Sequence, residues 1–231
     1  MDDIQHQQMG YDRAATMFAP DGHILQVEYA EKTVRLGSAS IGVVCKDGAV
    51  IVSDRRNKDK LLVEDSANKI YEIDSHIMCT AAGIMSDARV LIEKARVFAQ
   101  QHRVTYDSPS ETEAIVKDVA DVKQQFTQYG GARPFGVALL FASYDSRPRL
   151  FTTDVTGNYF QYKADAIGQN DDKIKAKLRE KYKEGMTADE GVKFALSIFK
   201  EILGDEYNSE RFDIAIIGKD QKLKRVSSKG L

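Results

Sequence analysis

Apolar residues recur along this chain with two different periods, and the switches between them divide it into blocks. Residues 1–20 show no regular period and read as a tail mobile at its tip. From there Ile24, Val27, and Ala30 or Val34 recur at helical spacing, which predicts a short helix ending at Gly37, a natural stop. Ala39–Cys45 and Ala49–Ser53 are β-rich runs flanking Lys46-Asp47-Gly48, a hairpin signal. Short strands follow at Lys69–Ile73 and Ile77–Ala82. Helical spacing then returns. Ala88, Leu91, Ile92, Ala95, Phe98 and Ala99 share one face, and after the break at Asp107-Ser108-Pro109 comes a second series of Ile115, Val119, Val122 and Phe126. Ser110 and Glu113 have the spacing of a capping box at its start.

Gly130, Gly131 and Pro134 close that helical region. Phe135–Ala142 is an apolar run of strand length, Arg149–Thr153 reads as its hairpin partner, and Tyr159–Ile167 holds two more short strands. Ile174, Leu178 and Tyr182 predict another helix. Thr187 and Glu190 offer a second capping box ahead of Val192, Ala195, Ile198, Phe199 and Ile202. Strands near Phe212–Ile217 and Leu223–Val226, joined by a turn at 218–220, complete the chain. Helix pairs thus alternate with blocks of strands joined by hairpins. An α+β fold follows, with two mainly antiparallel sheets packed face to face and helices outside each, a four-layer αββα sandwich. No repeat, low-complexity stretch or linker divides it, so a single domain over 1–231 is expected.

Composition narrows the function classes. The chain has 231 residues, 42% hydrophobic and 29% charged, with a net charge of −2, so nothing drives it as a whole toward nucleic acid or anionic membrane. No apolar run approaches the roughly 18 residues of a membrane span. The start is polar, without an apolar signal segment. Cys45 and Cys79 lie in strand runs and read as buried, reduced side chains. A cytoplasmic protein is expected. There is no phosphate-binding loop, no dinucleotide fingerprint and no His-Glu-x-x-His, and His6, His23, His76 and His102 are scattered. No metal and no cofactor are expected. The basic series Lys173, Lys175, Lys177, Arg179, Lys181 and Lys183 is interrupted by Glu180 and preceded by Asp171 and Asp172, and reads as a solvated helix face.

Particular motifs add a resemblance. Tyr11-Asp12-Arg13, Pro20-Asp21-Gly22 and Gln26-Val27-Glu28-Tyr29-Ala30 are similar to the start of proteasome α subunits. Lys69-Ile70, residues 83–89 (GIMSDAR), residues 128–136 (QYGGARPFG) and residues 164–168 (ADAIG) extend the likeness to about Ile217. The chain resembles the archaeal type most. The resemblance implies an N-terminal nucleophile hydrolase-like fold. It also places Ser38, Asp54 and Lys69 where the catalytic β subunits carry threonine, an acid and lysine. In those enzymes a cut frees the α-amine of the nucleophile to act as its base. An uncut Ser38 has an amide nitrogen with no basicity, so no catalytic residue is expected. The alternative is a precursor peptidase activated by cleavage at Gly37-Ser38.

The same resemblance implies the remaining roles. Residues 1–21 would be a gating tail and turn, 22–36 a ring-forming helix and 38–231 the sandwich core. Seven copies would form a ring on proteasome β subunits. Tyr11, Asp12, Arg13 and Pro20 would control entry of unfolded protein substrates. Lys69, Gly83 and Ile84 would receive the C-terminal tails of regulatory ATPase activators, Lys69 meeting the terminal carboxylate. Otherwise Lys69 would pair with Glu64 or Asp65. Glu31 stands where archaeal relatives usually carry arginine, and would set a like charge against an incoming carboxylate. Thr33-Val34, Ser38-Ala39 and Ile84 are lesser departures.

Overall fold

The computed structural model describes residue 10, residues 13–56 and residues 61–227. Helix α1 (Leu25–Leu36) leads into strands β1 (Ser40–Val44), β2 (Gly48–Asp54), β3 (Ile70–Asp74) and β4 (Ile77–Gly83). Helices α2 (Met85–Tyr106) and α3 (Thr112–Gln128) follow, then β5 (Val137–Tyr144), β6 (Pro148–Thr153), β7 (Tyr159–Gln161) and β8 (Ala164–Ile167). Helices α4 (Asp171–Lys181) and α5 (Ala188–Leu203) precede β9 (Phe212–Gly218) and β10 (Leu223–Arg225). One sheet has the order β10-β9-β2-β1-β8 and the other β3-β4-β5-β6-β7. Every pairing is antiparallel.

The central strands alternate between two buried faces, and this stacks the layers. Val50 and Val52 of β2 meet Val192, Ala195 and Phe199 of α5, whereas Ala49 and Ile51 point between the sheets. Leu139 and Phe141 of β5 likewise meet Leu91, Ala95, Ile115 and Val119 of α2 and α3, while Leu140 and Ala142 point inward. Apolar side chains are thus buried at three parallel levels, the condition for an αββα sandwich. The inner level carries a polar rivet. Thr80 Oγ1 lies 3.1 Å from Ser40 Oγ and 2.9 Å from Ser53 Oγ, joining the two sheets.

The expected order of elements and layers stands, with two local corrections. Thr187 and Glu190 form the capping box at α5, but Ser110 and Glu113 do not form one at α3. That helix begins at Thr112, whose N–H and hydroxyl are donated to Asp145 in the β5–β6 turn. A carboxylate from across the fold has displaced the local cap. Gly37 does end α1, yet its φ of −66° and ψ of 151° are open to any residue. It is no left-handed cap, and its glycine answers to a different constraint, described below. Both cysteines are free and buried. Burial pushes the Cys45 thiol up to about 12 and the Cys79 thiol higher, so neither is poised as a nucleophile. On α4, Lys175, Lys177 and Lys181 face Asp171, Glu180 and Glu201, an ion-paired outer face. No helix among the described residues is long and apolar enough to cross a membrane.

Lys123 on α3 is fully buried and lies outside every sequence expectation. Its ammonium donates to the Val137 carbonyl at 3.0 Å, Thr153 Oγ1 at 2.7 Å and the Asp154 carbonyl at 2.9 Å. Burial lowers its pKa to about 7, against a partial opposing pull from Asp154. A lysine depressed in the folded state binds fewer protons there than when unfolded. Its contribution to stability therefore grows as pH rises from about 7 toward the unfolded value of 10.5. Wild-type protein should gain stability relative to Lys123→Met over that window, read from denaturant midpoints at pH 7 and pH 9.5. Parallel pH profiles would contradict the assignment.

Candidate functional site

The chemistry-bearing residues gather where α1 hands over to β1. The approach there is closer than a side chain allows. A Cβ on Gly37 would clash with the Gly83 nitrogen, and one on Gly83, at φ +120°, with the Gly136 carbonyl. The Gly136 carbonyl accepts the Ile84 N–H at 2.9 Å and lies 2.8 Å from the Thr33 hydroxyl. Arg133 donates to both carboxylate oxygens of Asp87 at 2.7 and 2.8 Å, and the Gly136 N–H reaches the same group at 3.0 Å. Burial alone would raise the Asp87 carboxyl. The Arg133 and Gly136 hydrogen bonds and the Arg133 charge hold it below the usual carboxylate range. The two motifs at 83–89 and 128–136 are therefore halves of one clasp. Gly83 opens it and Ile84 occupies the N-cap position of α2.

Lys69 precedes β3 and is only 7% exposed. Its ammonium donates to Ser38 O at 3.0 Å and Ser38 Oγ at 2.6 Å. Burial lowers its pKa to about 8; Asp54 and Asp213 pull upward and Arg56 pushes down. Ser38 and Lys69 are thus brought together. Asp54 is committed elsewhere, with Arg211 donating to its two oxygens at 2.8 and 2.7 Å and the Arg56 N–H at 3.0 Å. No ion pair among the described residues involves Lys69. Its partner among the described residues is Ser38; the side chains of Glu64 and Asp65, the alternative partners, lie outside the described residues. A Ser38 nitrogen inside the chain has no lone pair to offer as a base, so the triplet lacks the amine on which N-terminal nucleophile chemistry depends.

Glu31 is exposed on α1. Partial burial and then Asp154 raise its carboxyl, with Arg35 opposing. No ion pair or hydrogen bond among the described residues joins Glu31 to Lys69. Pro20 and Asp21 are the central residues of a turn closed by the Gly22 N–H on the Ala19 carbonyl at 2.8 Å. Proline sets φ for that position, Gly22 follows at φ +88°, and buried Ala19 anchors the turn while Pro20 projects. Arg13 is exposed, its N–H on the Gly10 carbonyl at 3.1 Å. Tyr11 and Asp12 lie outside the described residues. No group of three or more His, Cys, Asp or Glu among the described residues could hold a metal.

Comparison with known proteins follows the same division of the chain. A family profile described as "Proteasome subunit" matches residues 34–217, and a second profile, the N-terminal signature of A-type proteasome subunits, matches residues 11–32. The chain is 44% identical over 221 residues to "Proteasome subunit alpha" of Thermococcus sibiricus, covering 95% of this chain and 85% of that one. It is 46% identical over 215 residues to the protein of the same name from Methanococcus maripaludis, covering 93% and 83%. With that of Archaeoglobus fulgidus it shares 41% over 225 residues, covering 97% and 92%.

Arg211 and Arg56 were missed by sequence reasoning, because an arginine just outside a regular strand carries no periodic signal. Arg211 can be tested directly. Asp54 is a buried carboxylate whose two oxygens both receive Arg211. Arg211→Ala strands that charge and should cost about 3–5 kcal/mol, measured by denaturant unfolding. A loss below about 1 kcal/mol, the range of surface pairs, would contradict the reading.

Proposed function

The chain belongs to the proteasome subunit family and is of the α type, and from that premise we propose that it is a non-catalytic ring subunit of a 20S proteasome. Seven copies form the outer ring, stack on catalytic β subunits and control the entry of unfolded protein in the cytoplasm. One observation carries the non-catalytic reading. The chain passes through Gly37 into Ser38 with Gly37 against the Gly83 backbone, so residues ahead of Ser38 are built into the fold. A propeptide awaiting removal has no need of such packing. The Lys69 ammonium is held by Ser38 itself.

Residues 1–21 serve as gating tail and turn, residues 22–36 as the ring helix and residues 38–231 as the sandwich core. A ring requires two different complementary surfaces on each protomer, and exposed positions of α1 supply part of one. Tyr11, Asp12 and Arg13 link neighbouring tails through charge-assisted hydrogen bonds, and the Pro20 turn sets where each tail leaves the body. Lys69 receives the terminal carboxylate of an activating ATPase tail, with Gly83 and Ile84 as the pocket wall. Glu31 weakens that association by like charge, most at low salt.

The gate can be opened by deletion. Removing residues 2–13 should raise hydrolysis of a short fluorogenic peptide severalfold in the particle assembled with its β subunit. Unchanged hydrolysis, with assembly intact by native mass spectrometry, would overturn the gating role.

A further inference from the structure

Arg56 is a strained residue with an exposed head group and no acidic partner among the described residues. It follows β2 at φ +50°, a left-handed conformation that costs free energy for any residue with a Cβ. Its own N–H on Asp54 Oδ1 holds it there. The guanidinium donates to the Leu36 carbonyl at 3.1 Å and to Gln169 Oε1. Gln169 in turn donates its N–H to the Gly37 carbonyl at 2.8 Å. Arg56, Gln169 and Lys69 therefore all converge on the stretch Leu36–Ser38.

Among the described residues, the charge balance at that stretch is one-sided. The side chains of Arg56 and Lys69 donate to neutral oxygens, and neither forms an ion pair among the described residues. A guanidinium has five N–H donors and an ammonium three, so both retain spare donors. The nearby carboxylates among the described residues are already engaged. Asp54 takes Arg211 on both oxygens. Asp213 takes Arg225 at 2.6 Å on one oxygen and the Lys69 and Ile70 N–H groups at 2.8 and 2.9 Å on the other. Two cations that converge on one stretch with spare donors, beside described acids that are already occupied, leave donors for one further anion.

We propose that Arg56 is a second anion-binding residue at the Lys69 site, and that the two cations together receive the terminal carboxylate of a docking peptide. Lys69 supplies the buried point charge at the floor. Arg56 supplies the planar, more exposed donors that a carboxylate can engage through two oxygens. The inference rests on the docking role given to Lys69 above, and it adds a residue that sets affinity for a free C-terminus.

The test uses the particle assembled with its β subunit. The probe is a fluorescent synthetic heptapeptide copying the C-terminus of the regulatory ATPase from the same source, with either a free carboxylate or a C-terminal amide. Fluorescence anisotropy reads binding. Arg56→Gln should weaken binding of the free-carboxylate peptide about tenfold, the scale of one charge-assisted contact. It should leave the weaker binding of the amide unchanged, and Arg56→Lys should lose less. Millimolar acetate should not displace the peptide. Unchanged affinity in Arg56→Gln, with binding lost in Lys69→Ala, overturns the inference and leaves the docking role standing. Equal weakening of both peptides in Arg56→Gln also overturns it, as a merely structural effect. Displacement by millimolar acetate overturns the peptide assignment. Full binding by Lys69→Ala, or none by wild type, overturns the docking role and this inference together.

Discussion

The end of helix α1 lies backbone to backbone against the end of strand β4, and the character of the protein depends on that contact. Three glycines remove the side chains that would prevent it: Gly37, Gly83 and Gly136 sit at successive steps of the approach. The Asp87–Arg133 pair then holds the 133–136 segment against α2, so the gap can neither widen nor slip. An N-terminal nucleophile hydrolase needs a free chain end at this place. Here the place is occupied by a continuous chain.

That one constraint changes the role of the charged residues around it. Lys69 lies beside Ser38, as a catalytic lysine would beside its nucleophile, yet the serine nitrogen is a peptide amide and Asp54 is spoken for by Arg211. On the proposed reading the lysine acts through its charge rather than through proton transfer. A buried ammonium satisfied only by hydroxyl and carbonyl oxygens retains affinity for an anion. In the function proposed here, a scaffold suited to acyl transfer becomes, with one cut withheld, a scaffold suited to holding a carboxylate.

The layers were legible because strands buried on both faces leave long apolar runs, as in residues 137–142, and such strands need cover on each side. The α5 cap was legible because Thr187 and Glu190 satisfy each other within one turn. The α3 cap was not, since Asp145 arrives from another element. The same limit governs the site. Gly83, Ile84 and Lys69 are singled out by motifs, but the reason Gly37 is glycine is a contact with residues far along the chain. Arg56 and Arg211 were invisible for the same cause. Lys123 reads as one more polar position of an amphipathic helix, and only the packing of β5 and β6 around α3 makes it a core residue.

Retention of the segment ahead of Ser38 is the claim from which the others follow, and intact mass reports on it directly. The particle should be co-assembled with its β subunit under conditions in which that subunit is active, and its chains then separated and weighed. The account predicts an α chain whose mass includes residues 1–37, continuous through Gly37-Ser38. A chain beginning at Ser38 would contradict it, and would make this protein the peptidase its fold allows.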